Sequence, residues 1–225
     1  MDKTALALLF AKTFPFWEEL CDDDRATLLR SSQKIHFRKG TTIHDGSECT
    51  GLILVKSGSL RVYILSEDGK EITLYRLFEG DMCILSASCV LESITFDVFI
   101  DAEDDSDCVV VGGCAFAQVS ERVPQVRIFA LENAVSRFSD VMWVMQQILF
   151  MSFDKRLAIF LLDESSKNGT DTIKLTHEQI AKYMGSAREV VTRMLKYFVS
   201  EGLVTASRSE GIRIADKKRL RDIAL

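Results

Sequence analysis

The sequence lacks the features of membrane-spanning and exported proteins. It has no stretch of about 18 consecutive apolar residues, which a transmembrane helix requires, and its most apolar segment, VMWVMQQILFMSF, is interrupted by Gln146 and Gln147. The apolar run near the N-terminus is short and follows an acidic residue, whereas a signal peptide begins with basic residues. We therefore expect a soluble, cytoplasmic protein with no membrane partner.

Motifs typical of enzyme and metal sites are also missing. The chain has no Gly-rich phosphate loop, no H-E-x-x-H helix and no Ser-His-Asp constellation, and its three histidines stand far apart. Its six cysteines are scattered without a C-x-x-C pair. In a reducing compartment such cysteines are expected to act as small buried hydrophobes. These absences argue against an enzyme.

Charge is distributed unevenly along the chain. The net charge is −5, but acidic residues outnumber basic ones only before residue 153, and basic residues are in excess from 154 to 225. A basic C-terminal third on an acidic protein favours contact between that third and a polyanion. Chance variation of solvated charge is the alternative explanation.

Short strand-like runs alternate with turn signals from about residue 35 to residue 111. Runs such as LRVYILSE and EITLYRLFE are rich in β-branched and aromatic residues. The turn signals contain Gly40, Gly46, Gly58, Gly69 and Gly80. This pattern predicts an antiparallel sandwich or barrel, with EDGK as a hairpin turn. The preceding segment, FPFWEELCDDDRATLLRSS, predicts a helix that packs on the barrel through Leu20, Leu28 and Leu29.

A long helix is predicted from about residue 123 to residue 153, where glycine is absent and Pro124 suits the first turn. Its apolar residues repeat in alternating steps of four and three, as in a heptad seam. The seam consists of Leu131, Val135, Phe138, Met142, Met145 and Leu149. A helix of about 26 residues is roughly 39 Å long, more than one small barrel covers. The seam therefore predicts dimerisation with a second copy, and burial in a core is the alternative.

The C-terminal third contains the most specific pattern. FDKRLAIFLLDESSKNGT predicts a helix that ends at Asn168-Gly169, and LTHEQIAKYMGSAREVVTRMLKYFVSEGLV predicts two more. Segments 176–179 and 186–189 each fit the capping box S/T-x-x-E/Q, and Gly185 between them permits a left-handed turn. GLVTASRSEGIRIAD predicts a basic β-hairpin, or wing. Helix, turn, helix and wing together indicate a winged helix-turn-helix that binds DNA.

Groove geometry assigns roles to these residues. A recognition helix enters the major groove N-terminus first and presents the side chains of its first two turns to base edges. The predicted base-reading residues are Arg188, Glu189, Thr192 and Arg193. The predicted phosphate contacts, which set the register on DNA, are Thr176, His177, Ser186, Lys196, Arg208 and Arg213. Alternatively, Glu189 only completes a cap on Ser186, Arg193 is a solvated surface residue, and His177 only begins a helix.

Taken in order, four features of the chain resemble the Crp/Fnr family of bacterial transcription regulators over essentially its whole length. They are FPFWEEL, the glycine-punctuated strands, the long helix and the helix-turn-helix. The resemblance implies an α+β protein with an N-terminal antiparallel, jelly-roll-like effector β-roll (1–124), a long dimerisation helix and hinge (125–153) and a C-terminal winged helix-turn-helix (154–225). It also implies a homodimer on palindromic double-stranded DNA, switched by a small effector, with RNA polymerase as a partner of an activator.

The same resemblance places the effector pocket in the segment that begins at Gly80. The residues expected to line it are Gly80, Asp81, Met82, Cys83, Leu85, Ser86, Cys89 and Phe96. Relatives that bind cAMP carry an Arg-Ser pair for the cyclic phosphate, but Phe96-Asp97 aligns there, and no Arg or Lys occurs from residue 79 through 111. Because a carboxylate repels phosphate, we expect an uncharged or largely apolar effector, or none, rather than a cyclic nucleotide.

The identity of any cofactor is left open. Oxygen-sensing members hold an iron–sulfur cluster on clustered N-terminal cysteines, whereas this chain has only Cys21 before the β-roll, so no cluster is expected. Conceivable haem ligands are Cys83, Cys89, His36 and His44, although each is more often a packed strand residue. The Cys83 segment has no neighbouring cation to lower a thiol pKa, which argues against a redox pair. A redox- or haem-dependent sensor, and an effector-binding module acting through a protein partner, remain alternatives.

Overall fold

The computed structural model describes residues 3–46, 49–87, 97–207 and 211–225. Within these ranges, no helix combines the length and apolar character that crossing a bilayer needs. The chain forms two compact units. The first contains Met1–Leu65 and Leu74–Val141, and the second contains Ser66–Thr73 and Met142–Leu225. The three-part division at residues 124 and 153 stays a prediction.

The first unit contains short helices and a core rich in aromatic side chains. Its helices before the long one are α1 (Lys3–Thr13), α2 (Asp22–Arg30) and α3 (Gly113–Arg122). The segment predicted as one helix before the strands is divided, because a 3₁₀ turn at Trp17–Glu19 precedes α2 and Cys21 between them is extended, with ψ 164°. Leu20 and Leu28 are buried as predicted, in a cluster rich in aromatic side chains.

Two four-stranded sheets form the β-roll, which confirms the predicted antiparallel architecture. The strands are β1 (Ser32–Phe37), β2 (Thr42–His44), β3 (Leu52–Ser57), β4 (Leu60–Leu65), β5 (Glu71–Leu77), β6 (Met82–Cys83), β7 (Phe99–Ala102) and β8 (Ser106–Val111). Their order is β1-β8-β3-β6 in one sheet and β2-β7-β4-β5 in the other. A second apolar cluster, which includes Ile53, Leu60, Ile100 and Cys108, draws side chains from both sheets.

The five glycines predicted to lie in turns all have positive φ, between +81° and +89°. Gly58 shows why a side chain is excluded at one of them. A Cβ atom there would lie 2.3 Å from Ser106 Oγ and 2.5 Å from the Asp105 carbonyl oxygen. Gly58 therefore allows the β3–β4 turn to approach the chain before β8.

The long helix α4 runs from Pro124 to Phe150, 27 residues, and begins at the proline as predicted. One side of its first half is buried through Val126, Phe129 and Ala130. The six seam residues are all exposed in the single chain, with exposed fractions from 38% for Met142 to 64% for Val135 and Leu149. The helix therefore buries one side in the first unit and leaves the predicted seam uncovered.

The second unit is a small helical domain with a three-stranded sheet. Its elements are α5 (Phe153–Asn168), β9 (Thr172–Ile173), α6 (His177–Met184), α7 (Arg188–Ser200), β10 (Val204–Ser207), β11 (Gly211–Ile214) and α8 (Lys217–Ala224). The sheet order is β10-β11-β9, with both pairs antiparallel. The helix α8 was not predicted from the sequence. Its N-cap residue is Asp216, whose carboxylate accepts a hydrogen bond from the Arg219 amide at 2.9 Å.

Candidate nucleic-acid interface

The first helix of the predicted motif starts at the expected capping box. Thr176 Oγ1 accepts a hydrogen bond from the Gln179 amide at 3.1 Å, and Gln179 Oε1 accepts one from the Thr176 amide at 2.8 Å. These reciprocal bonds satisfy two backbone donors that a helix start leaves unpaired. The local sequence thus determines where α6 begins.

The second predicted capping box does not form. The helix α7 begins at Arg188 after Ala187, which makes no side-chain capping bond. The reason lies in the preceding turn, where Gly185 is left-handed (φ +58°) and the Ser186 amide donates to the Ala181 carbonyl at 2.9 Å. The Ser186 amide therefore completes the end of α6 in a Schellman-type turn, and the N-cap position of α7 falls one residue later, on Ala187.

The helix α7 separates an apolar side from a polar one. Val191, Leu195 and Phe198 are buried in the core of the second unit. Arg188, Glu189 and Arg193, three of the four predicted base-reading residues, are exposed. A helix held by its apolar side, with two Arg and one Glu exposed in its first two turns, matches the geometry needed for major-groove reading.

The fourth predicted reader, Thr192, is half-buried and bound to α6. Its Oγ1 lies 2.9 Å from Nδ1 of His177, the first residue of α6. Burial, and then the nearby Arg188 cation, lower the pKa of the His177 imidazole below its ordinary value. The ring is therefore neutral at neutral pH, and one of its nitrogens is already engaged inside the protein.

The other predicted phosphate contacts lie along the same motif and on the wing. Thr176, Lys196 and Arg213 are exposed, and Ser186 is half-buried. The wing forms as predicted, because β10 pairs with β11 in antiparallel register, with Thr205 opposite Arg213. Arg208, at the predicted tip of the wing, lies outside the described residues.

A contact that the sequence did not indicate lies at the end of α6. Within the second unit, Lys182 Nζ lies 3.1 Å from Glu71 Oε1, and the Lys182 carbonyl accepts a hydrogen bond from Thr73 Oγ1 at 3.0 Å. A Cβ atom on Gly185 would lie 3.2 Å from Cγ1 of Ile72. These pairs are more than 100 residues apart in sequence, so no local pattern could have revealed them.

The residues predicted to line an effector pocket face different surroundings. Gly80 is exposed, Met82 packs in the aromatic-rich cluster, and Cys83 and Leu85 belong to the cluster that draws on both sheets. Ser86 Oγ donates to the Gly51 carbonyl at 2.6 Å. The segment therefore does not present one continuous wall, and its role in effector binding stays a prediction. Two of its predicted residues, Cys89 and Phe96, lie outside the described residues.

The helix α4 contributes a cation to the turn after Gly80. Arg137 lies 3.7 Å from an Asp81 carboxylate oxygen and 2.9 Å from one of Asp140, and its guanidinium stands 5.1 Å from the Tyr75 ring centroid. A further cation, Arg61 on β4, is buried and only 4% exposed. Neither cation lies in residues 79–111, the segment from which the absence of Arg and Lys was inferred, because Arg137 belongs to α4 and Arg61 to β4.

The conceivable haem ligands have other partners or surroundings. Cys83 is fully buried, and burial raises the pKa of its thiol. His44 is buried with its Nδ1 2.8 Å from Thr50 Oγ1, whereas His36 is exposed and lies 3.1 Å from Asp107. Among the described residues, no cluster of three or more His, Cys, Asp or Glu side chains could hold a metal ion. A buried protonated thiol is a poor nucleophile.

Two regions of the chain match known domain families. Residues 34–122 match the cyclic nucleotide-binding domain family, and residues 155–223 match the Crp-like helix-turn-helix domain family. The first match covers nearly all of the β-roll together with α3, and the second covers nearly all of α5 through α8. One match therefore lies mainly in the first unit and the other in the second.

Individual relatives that match both regions are transcription regulators. The crystal structure of a protein from Eubacterium rectale assigned to the Crp/Fnr family of transcriptional regulators is 48% identical, covers 95% of this chain and 99% of its own, and superimposes with a TM-score of 0.90. The transcriptional regulator Flp of Lacticaseibacillus casei is 24% identical over 93% of this chain and 95% of its own length. The cAMP-activated regulator CRP of Pasteurella multocida is 26% identical over 75% of this chain and 83% of its own length.

Proposed function

Since the chain belongs to the Crp/Fnr family of DNA-binding transcription regulators, we propose that it acts as a homodimer that reads two-fold symmetric DNA through α7. We further propose that an effector other than a cyclic nucleotide switches its affinity for DNA. The observation that carries the first proposal is the exposure of Arg188, Glu189 and Arg193 on the first two turns of α7.

The chemistry of these three side chains suits base reading. An Arg side chain can donate two hydrogen bonds to O6 and N7 of guanine, and a Glu carboxylate can accept from N4 of cytosine. Lys196 and Arg213 offer exposed cations on α7 and on the wing strand β11, where phosphate contacts would set the register. The residues proposed to contact bases and those proposed to contact DNA phosphates therefore belong to one unit.

The exposed seam of α4 supports dimerisation. Six apolar side chains in heptad spacing are uncovered, whereas the opposite side of the first half of the helix is buried. A second copy is the occupant that fits this seam best, because a heptad seam is complementary to another heptad seam. Two copies of α7 related by two-fold symmetry would then face two half-sites of a palindrome.

The charges near Asp81 favour an effector that is not an anion. Arg137 is flanked by the carboxylates of Asp81 and Asp140, so this group of three carries a net negative charge. A cyclic phosphate binds where donors and cations are in excess, and Asp81 would repel it. The curated relatives named cAMP-activated are 26% identical or less, so their effector does not transfer directly.

The DNA proposal is tested by an Arg193→Ala variant on a palindromic site selected for the wild-type protein. We expect the variant to lose about 1–3 kcal/mol of discrimination at one base pair in each half-site. Fluorescence anisotropy with operators substituted at each position measures this loss. If Arg193→Ala discriminates all base pairs as well as wild type does, Arg193 does not read a base.

The effector proposal is tested by titrating the purified protein with cAMP and cGMP in a calorimeter, next to native mass spectrometry of the protein as isolated. We expect no heat of binding from either nucleotide. Saturable binding of either nucleotide, abolished by unfolding, would contradict the proposal. A visible absorption band of the purified protein would instead favour the haem-dependent alternative.

A further inference from the structure

His177 and Thr192 join the two helices of the motif by one hydrogen bond. The two residues are 15 positions apart, and the distance between Nδ1 and Oγ1 is 2.9 Å. Both side chains are half-buried, so the bond is partly protected from competing water. Thr192 stands between exposed Arg188 and Arg193 on the helix, four positions after one and one before the other.

The direction of this bond determines what Thr192 can recognise. A Thr hydroxyl has one proton to donate and two lone pairs that accept. If Nδ1 carries no proton, the hydroxyl must donate its only proton to Nδ1, and Thr192 can then only accept from DNA. If Nδ1 carries a proton, the hydroxyl accepts from His177 and keeps its own proton for a base acceptor.

The other ring nitrogen selects between these two states. A neutral imidazole has one protonated nitrogen and one bare nitrogen. Phosphate oxygens only accept hydrogen bonds, so a contact between Nε2 of His177 and the DNA backbone requires the proton on Nε2. Nδ1 is then bare. Burial and the Arg188 cation lower the pKa of His177, which disfavours the doubly protonated ring.

We propose that His177 is a positioning residue that makes the Thr192 hydroxyl an acceptor toward the major groove. The inference rests on the proposed role of α7 as the recognition helix. Adenine N6 and cytosine N4 are amino donors in the major groove, whereas guanine and the thymine of an A·T pair present acceptors there. Thr192 would therefore favour adenine or cytosine at the base that it faces.

The test compares base preferences at every operator position for wild type and four variants. Thr192→Val removes the hydroxyl at nearly constant shape and identifies the position that Thr192 reads. His177→Ala should weaken the preference for adenine or cytosine at that same position by about 3- to 10-fold, the effect of one net hydrogen bond. The double variant should match Thr192→Val alone, because the two residues act through one contact.

His177→Asn provides the matched rescue, because its side-chain oxygen can lie near the place of Nδ1 and accept from Thr192. We expect it to restore most of the lost preference. The tautomer is measured separately by ¹⁵N NMR of the imidazole in the unmodified protein bound to its operator, with the His177→Asn spectrum identifying the signal. The expected result is a proton on Nε2 and none on Nδ1 at neutral pH.

Two results would overturn the inference while leaving the proposed function intact. One is a protonated Nδ1 in the spectrum. The other is a His177→Ala variant that weakens binding equally for all sequences, with an unchanged preference at the Thr192 position. Failure of the proposed function would look different, because Arg193→Ala would then also leave every base preference unchanged.

Discussion

Removal of the Lys196 charge should reduce the salt dependence of DNA binding by a calculable amount. Lys196 is exposed on α7 three residues after Arg193, on the same side of the helix. Each neutralised phosphate of duplex DNA contributes about 0.9 to the slope of log K against log salt concentration. A dimer on a two-fold site uses Lys196 twice, so Lys196→Ala should lower the magnitude of the slope by about 1.8.

The assay is fluorescence anisotropy of the selected palindrome over a series of KCl concentrations. A difference of about 1.8 in slope means that each doubling of salt weakens wild-type binding about 3.5-fold more than variant binding. The preference among base pairs should not change, because a phosphate contact carries no direct sequence information. Lys12→Ala is the matched control, since Lys12 is an exposed lysine on α1 of the first unit.

Parallel salt lines for wild type and Lys196→Ala would refute the assignment of Lys196 to a phosphate. A slope near zero for wild type would contradict all the proposed phosphate contacts, because a protein that neutralises phosphates must release counterions. That second result would favour the alternative of an effector-binding module that acts through a protein partner.

Two further predictions concern the turn of the motif and the seam of α4. Gly185→Ala and Gly169→Ala both place a Cβ on left-handed backbone (φ +58° and +61°), but only the Cβ on Gly185 meets a neighbour, Ile72 at 3.2 Å. Gly185→Ala should therefore lower the free energy of unfolding in urea by about 1 kcal/mol more than Gly169→Ala, and equal losses would contradict this. Phe138→Glu should convert the dimer to a monomer in sedimentation equilibrium, since Phe138 is on the seam and 63% exposed. Ser136→Glu, an exposed position off the seam on the same helix, should stay dimeric, and a dimeric Phe138→Glu would exclude the seam as the interface.

Local chemistry was sufficient to predict much of the fold. Turn glycines need positive φ, and the five that punctuate the strands all have it. The cap at Thr176 depends on residues within one turn, and so does the helix end at Gly169, which is left-handed. Such features follow from the sequence because every participating atom is near in the chain.

Features that depend on tertiary contacts could not be predicted in the same way. Ser186 fits a capping motif, but its amide bonds to the end of α6 and the N-cap position of α7 falls on Ala187. Arg137 comes from a helix more than 50 residues after Asp81, and no window around the turn includes it. The bond between His177 and Thr192 likewise requires two helices to meet. The sequence therefore indicates the kind of site more readily than its internal hydrogen bonds.

Selection of bound sequences from random duplex DNA shows whether two copies of α7 read a palindrome. We expect an enriched motif with two inverted half-sites, their centres about one helical turn or 10–10.5 base pairs apart. We also expect Arg193→Ala to relax one base pair symmetrically in both halves. Enrichment of an asymmetric motif, or of none, would contradict the claim that two copies of α7 read a palindrome.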